Sequence, residues 1–204
     1  MLDGIDVSTI SLRQLRLHIS LIPQEPVFFT SSLRLNLDPF NRYSDEDIWL
    51  ALSHVNMMEE IKQHPIGLQM QVTEGGASFS VGQRQLLCLA RALLQKCQLL
   101  LIDEATANVD NDTDLLVQKM IRDNFKHCTI LTIAHRLDTI VDSDTVLVFD
   151  QGELVEQGSP AELIHNNQSK FYKLASESGD SELSKLTRLA NENRNKFYRL
   201  NSIN

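Results

Sequence analysis

Four groups of residues have the type and spacing to do chemistry. The apolar run Leu99–Ile102 ends in two adjacent carboxylates, Asp103 and Glu104. In open α/β sheets ligands sit beyond the carboxyl ends of strands. A carboxylate there can hold Mg²⁺ through water, because Mg²⁺ prefers oxygen ligands and keeps several waters. Its neighbour, facing another way, can orient and deprotonate an attacking water. The competing reading of Asp103 and Glu104 is an acidic pair capping the next helix. Ser80-Val-Gly-Gln83 opens a helix, so it offers a hydroxyl, N–H groups and a positive dipole end to an anion. Gly82 permits close backbone approach; taken alone, the segment is an ordinary capped helix. His135 ends the next apolar strand, at the same sheet edge as Asp103, where it could touch a phosphate or serve only as a satisfied structural histidine. Gln24 follows a strand and a proline; its amide can reach a metal or a water, or lie idle in a surface loop.

The phosphate-binding loop G-x-x-x-x-G-K-[ST] does not occur in the sequence, and none of the eight glycines precedes a lysine.

The elements that must position these groups alternate between strands and helices. A short helix is expected over Ser11–Arg16 and a strand over His18–Ile22, stopped by Pro23. Ser44-Asp-Glu-Asp47 reads as a helix start, with the helix running to about Ile61. Ser80-x-x-Gln83 is a second capping box, opening a helix to about Leu94. Leu99–Ile102 and Thr129–Ala134 are continuous apolar runs, as in parallel strands buried on both faces. Asp112–Phe125 reads as a helix. Asp150-Gln-Gly152 reads as a hairpin turn, and Ser159-Pro-Ala-Glu162 as a third capping box. Strands alternating with helices imply an α/β layered fold. Residues 176–204 are polar and read as a helical or partly disordered tail.

Composition narrows the function. A chain of 204 residues, 42% hydrophobic and 23% charged, can form one domain with a real core or slightly more. A net charge of −8 argues against nucleic acid as a partner. Cys88, Cys97 and Cys128 lack C-x-x-C spacing and read as free thiols in a reducing compartment. No apolar run approaches the roughly eighteen residues of a membrane span, and Asp3 and Asp6 argue against a signal peptide.

Taken together in order, these segments resemble the ABC-transporter ATPase cassette. Gln24 matches the glutamine loop, Phe79-Ser-Val-Gly-Gln83 the signature motif, and Leu99–Asp103 the Walker B strand. Glu104 matches the catalytic glutamate, Ala107-Asn-Val-Asp110 the D-loop, and His135 the switch histidine. Phe79 and Val81 depart from the usual leucine and glycine. Leu33-Arg-Leu-Asn-Leu-Asp-Pro-Phe40 and Gln83-Arg-Gln-Leu-Leu-Cys88 further resemble the second cassette of multidrug-resistance-associated, or C-type, exporters.

The resemblance implies an α/β fold, a P-loop NTPase-like parallel sheet with a helical subdomain over about 25–95. The cassette would cover residues 1–175, N-terminally truncated so that the part carrying Walker A is missing, and be followed by the tail at 176–204. It implies ATP and Mg²⁺ as cofactors. Glu104 and His135 would be catalytic, and Gln24, Ser80, Gly82, Gln83 and Asp110 would bind ATP. Asp103 and Gln24 would hold the metal. Partners would be a second nucleotide-binding domain and the transmembrane domains of an exporter, at the cytoplasmic face of a membrane; organic anions and conjugates are the substrates the subfamily suggests. The missing phosphate loop leads to the expectation that the chain alone holds no ATP and supplies Ser80, Gly82 and Gln83 to ATP on a partner. Three other readings stand beside this one: a non-catalytic isoform that only pairs with a partner cassette, a soluble ABC ATPase of translation or DNA repair, and a chloride-channel relative.

Overall fold

The computed structural model describes the chain except residues 3, 105–108, 135 and 202–204, and the side chains of 111 and 195–201. The helices are α1 (Leu12–His18), α2 (Leu33–Leu37), α3 (Asp45–His54), α4 (Met58–Gln63), α5 (Val81–Gln95), α6 (Asn111–Asn124), α7 (Pro160–Ile164), α8 (Lys170–Glu177) and α9 (Asp180–Asn201). The strands are β1 (Ile19–Ile22), β2 (Ser31–Ser32), β3 (Gln71–Val72), β4 (Leu99–Asp103), β5 (Thr129–Ile133), β6 (Val146–Asp150) and β7 (Glu153–Gly158). Two compact units result, Met1–Ile133 and Ala134–Asn204.

The first unit is built on a parallel sheet of order β1-β4-β5. Leu99 pairs with Ile19 on one side and Thr129 on the other, so Asp103 emerges opposite Ile133 at the carboxyl edge. Parallel neighbours need long crossovers. The segment carrying α2–α5 supplies the first and α6 the second. The Ser80–Gln83 capping box starts α5, and Lys96 ends it in a left-handed conformation at φ 48°. Its apolar stripe buries Leu86, Leu87, Leu89 and Leu94 in a core shared with Ile22, Ile48, Leu52, Leu100 and Ile102. Full burial of one such leucine stabilises by about 1.5–3 kcal/mol. Leu87→Ala would cost about 2–5 kcal/mol once the cavity is included.

Three sequence expectations are corrected here. His18 closes α1 rather than opening β1. The helix expected from Ser44 to Ile61 breaks after His54, because Asn56 takes a left-handed φ of 57° before α4 begins. β4 buries mainly one face, through Leu100 and Ile102, and β5 is not buried on both faces. Leu131 is 49% and Ile133 62% exposed, on the edge strand of the described sheet.

The second unit holds the β6–β7 hairpin and the last three helices. Asp150 pairs with Glu153 across Gln151 (φ 50°) and Gly152 (φ 85°), the two left-handed residues of a tight type I′ turn. The Ser159–Glu162 capping box and Pro160 start α7 as expected. Within the segment read as a polar tail, α9 buries Leu186 and Ala190 against a core containing Val146, Ile164, Phe171 and Ala175. None of the described helices is long and apolar enough to cross a membrane.

Candidate functional site

The carboxyl edge of the sheet gathers part of the expected site. Asp103 is the last residue of β4 and is exposed. Glu104 follows at φ 47°, a left-handed conformation that a non-glycine residue adopts only where surrounding structure holds it. Its N–H donates to the Ile133 carbonyl at 2.9 Å, so the end of β5 pins the turn. The Gln24 amide Nε2 then donates to Glu104 Oε2 at 3.0 Å. Two residues eighty positions apart, expected as glutamine loop and general base, are thus in direct contact.

The Gln24 segment is held by α5. Gln85, only 1% exposed, donates from Nε2 to the Gln24 carbonyl at 3.0 Å and to the Pro23 carbonyl at 3.4 Å. Its Oε1 is buried and has no hydrogen-bond partner among the described residues. Two turns along α5, Arg91 reaches the segment beyond the loop. It donates to the carbonyls of Val27 and Asn36, both at 2.8 Å, and stacks on Phe28 at 4.4 Å. Burial lowers the pKa of its guanidinium, while the adjacent Cys88 opposes that shift. Asn36 closes the segment by accepting from the Phe29 N–H and donating to the Phe29 carbonyl. Sequence reasoning missed Gln85 and Arg91. The available signal was a polar side chain on a helix stripe otherwise lined by Leu89 and Ala92.

The N-terminus of α5 is a reciprocal cap. Ser80 Oγ accepts from the Gln83 N–H at 3.1 Å, and Gln83 Oε1 accepts from the Ser80 N–H at 2.8 Å. The Gln83 amide also donates to both oxygens of Glu60, at 2.7 and 2.9 Å. An acidic group there complements the positive end of the helix. The N–H groups of Val81 and Gly82 belong to the first turn, which has no carbonyl partners of its own helix. Gly82 has a further reason to be glycine. A Cβ there would lie 2.3 Å from Thr113 Cγ2, so the start of α6 packs directly on the start of α5. Asp110 caps α6, accepting from the Thr113 N–H at 3.0 Å and its hydroxyl at 2.7 Å. Those two bonds hold its exposed carboxyl below the ordinary carboxylate range. His135 and residues 107–108 of the D-loop match lie outside the described residues.

Against known proteins, the family model described as ABC transporter matches residues 1–107. The chain belongs to the ABC transporter family. Human ATP-binding cassette sub-family C member 4 is 52% identical over 94% of this ABC chain, which spans 14% of that relative. Sub-family C member 2 of Rattus norvegicus is 52% identical over 88% of the chain and 12% of its own length. The probable multidrug resistance-associated protein lethal(2)03659 of Drosophila melanogaster is 51% identical over 94% of the chain and 14% of its own length. The ABC chain thus spans about a seventh of these relatives. Among solved structures, a bacterial Atm1-family ABC exporter with ATP bound superposes with a TM-score of 0.78 at 32% identity. That match covers 87% of this chain and 31% of the exporter's. The α/β, P-loop NTPase-like fold expected from the sequence is the fold of this ABC chain.

The donor set at the sheet edge fits Mg²⁺. Asp103, Glu104 and the Gln24 amide offer oxygen atoms on an open edge, the chemistry Mg²⁺ prefers. Among the described residues no cluster of three or more His, Cys, Asp or Glu could hold a metal ion. A cation here would therefore depend on water and on oxygens of its ligand for the rest of its shell.

Proposed function

We propose that this chain forms part of an ATP-binding and ATP-hydrolysing cassette of an ABC-type membrane exporter, at the cytoplasmic face of the membrane. The observation that carries the reading is the Gln24–Glu104 contact of 3.0 Å at the carboxyl end of β4. A carboxylate fixed by a backbone bond to β5 and touched by a loop amide is suited to hold and deprotonate water. Asp103, beside it, is the residue to hold Mg²⁺ through water. Bound Mg²⁺ neutralises charge on the transferring phosphoryl group. Gln24 orients Glu104 and reaches the same cation. His135 is assigned to steady the water and the phosphate.

Ser80, Gly82 and Gln83 would face the phosphates of a nucleotide carried by a partner cassette. The N–H groups of Val81 and Gly82 and the Ser80 hydroxyl make the anion contacts, while Glu60 holds Gln83 in place. Asp110 would stand at the joint between the two cassettes. This sequence has no phosphate loop, so the nucleotide's own cradle comes from other residues of the assembly. Transmembrane domains are the remaining partners, and organic anions are the substrate class.

The test is association. The chain is mixed with a cassette that carries a phosphate loop, and sedimentation is followed with and without Mg-ATP. Association that requires nucleotide and is lost in Ser80→Glu is expected, because a carboxylate there repels the phosphates. Association that ignores both nucleotide and Ser80→Glu would overturn the assignment.

A further inference from the structure

The parallel register of β4 and β5 brings together two cysteines far apart in sequence. Cys97 stands two residues before the start of β4, and Cys128 directly before the start of β5. Between them the Thr129 N–H donates to the Gln98 carbonyl at 2.9 Å, so the chains are paired before both strands formally begin. The Cys128 thiol donates to the Cys97 carbonyl at 2.8 Å. The register sets Cys128 beside Gln98, one residue beyond Cys97; a strand spacing of about 4.8 Å and a rise of about 3.3 Å per residue put the two Cα atoms about 5.8 Å apart, within the range of about 4.4–6.8 Å that a disulfide spans. Burial first, and then the neighbouring Cys97 thiol, push the Cys128 thiol up to about 11. Cys97 is 1% exposed, whereas Cys128 is half-buried. The proposed nucleotide chemistry uses neither thiol. They lie at the amino ends of β4 and β5, away from Asp103 and Glu104. The third cysteine, Cys88, belongs to α5 and contacts Arg91.

We propose that Cys97 and Cys128 are a pair that a small disulfide, such as oxidised glutathione, converts into an intrachain disulfide tying β4 to β5. Cys128, the more exposed member, loses its proton to solvent, and its thiolate attacks one glutathione sulfur. The glutathione S–S bond breaks, and one glutathione leaves as thiolate. Cys97 then loses its proton and attacks the Cys128 sulfur of the mixed disulfide. The second glutathione leaves, and the Cys97–Cys128 bond forms. Two protein thiols are oxidised, one glutathione disulfide is reduced to two thiols, and the two protons end on glutathione. The tie joins the same two strands whose opposite ends pin Glu104 through the Ile133 carbonyl. It would stiffen the base of the site without touching it.

The experiment treats the folded chain with oxidised glutathione at about pH 9, where exchange through a high-pKa thiol is faster. Intact mass and peptide mapping follow the product. The expected product has lost two hydrogens and yields a cross-linked Cys97–Cys128 peptide. Cys97→Ala should stop at glutathione on Cys128, and Cys128→Ser should remain unmodified while folded. Either variant should lose the cross-link completely. A stable mixed disulfide on the unsubstituted chain would overturn the proposal, as would a cross-link to Cys88. So would inertness of the folded chain over a time in which the urea-unfolded chain reacts fully.

Discussion

Gly82→Ala tests whether the signature glycine serves packing as well as ligand approach. The added Cβ would fall 2.3 Å from Thr113 Cγ2, against an optimum of about 3.5–4.0 Å between carbons. Thr113 cannot simply rotate away, because its hydroxyl donates to Asp110 at 2.7 Å. Breaking that bond costs about 0.5–1.5 kcal/mol. Overpacking of this kind costs about 1–3 kcal/mol, while alanine in place of glycine in a helix returns about 0.5–1 kcal/mol. The net expectation is a loss of about 1–2 kcal/mol. Thr113→Ser deletes Cγ2 and keeps the hydroxyl. In the Thr113→Ser background Gly82→Ala should be neutral or slightly stabilising, a coupling of about 1–2 kcal/mol in a double-mutant cycle. Urea unfolding followed through Trp49, the single tryptophan, reads the first unit. If Gly82→Ala is as stable as the parent, or loses as much with Thr113→Ser as without it, the packing argument fails.

Arg91→Ala should lower the stability of the first unit by about 1.5–3 kcal/mol in the same urea assay, since the carbonyl of buried Asn36 and the more exposed carbonyl of Val27 lose a charged donor. Asp110 has a folded-state pKa below its ordinary value near 3.8, so its contribution is present above that value and is lost as pH falls through the folded pKa. The difference in urea midpoint between Asp110→Asn and the parent should therefore shrink as the solution is acidified below that point. Alkylation of Cys128 by iodoacetamide should speed up about tenfold per pH unit between neutrality and about pH 9, because its thiol titrates near 11; a plateau in that range would place the pKa lower. A Cys97–Cys128 disulfide closes a loop of 31 residues. It should raise stability to urea by about 3–4 kcal/mol on chain-entropy grounds, reversed by reductant.

Much of the site was legible because its signals are local. The Ser80–Gln83 and Ser159–Glu162 caps are spelled by residues three apart, and both form as reciprocal hydrogen bonds. The Leu99–Ile102 run followed by Asp103 placed the carboxylates at a strand end, where they are found. What was not legible depends on conformation or on contacts across the chain. Nothing near Glu104 signals a left-handed φ, which in the folded chain goes with a bond from its N–H to the Ile133 carbonyl. The Asn56 break is masked in the sequence because apolar periodicity continues through it from Val55 to Ile61. Gln85 looked like one more polar residue of a motif, and only the folded chain shows its amide holding the glutamine loop. The sequence points to Gly82 as a site of close approach from outside, whereas its near neighbour in this chain is Thr113.

The central claim is that Glu104, turned toward Gln24, is the base that activates water. The most direct measurement is single-turnover hydrolysis of Mg-ATP by an assembled transporter carrying this segment, with Glu104 and with Glu104→Gln. Loss of a general base costs about 10²–10⁴ in rate. The substitution keeps size and hydrogen bonding, so ATP should still bind and remain trapped while hydrolysis falls by at least about a hundredfold. Hydrolysis by Glu104→Gln close to the unsubstituted rate would contradict the claim.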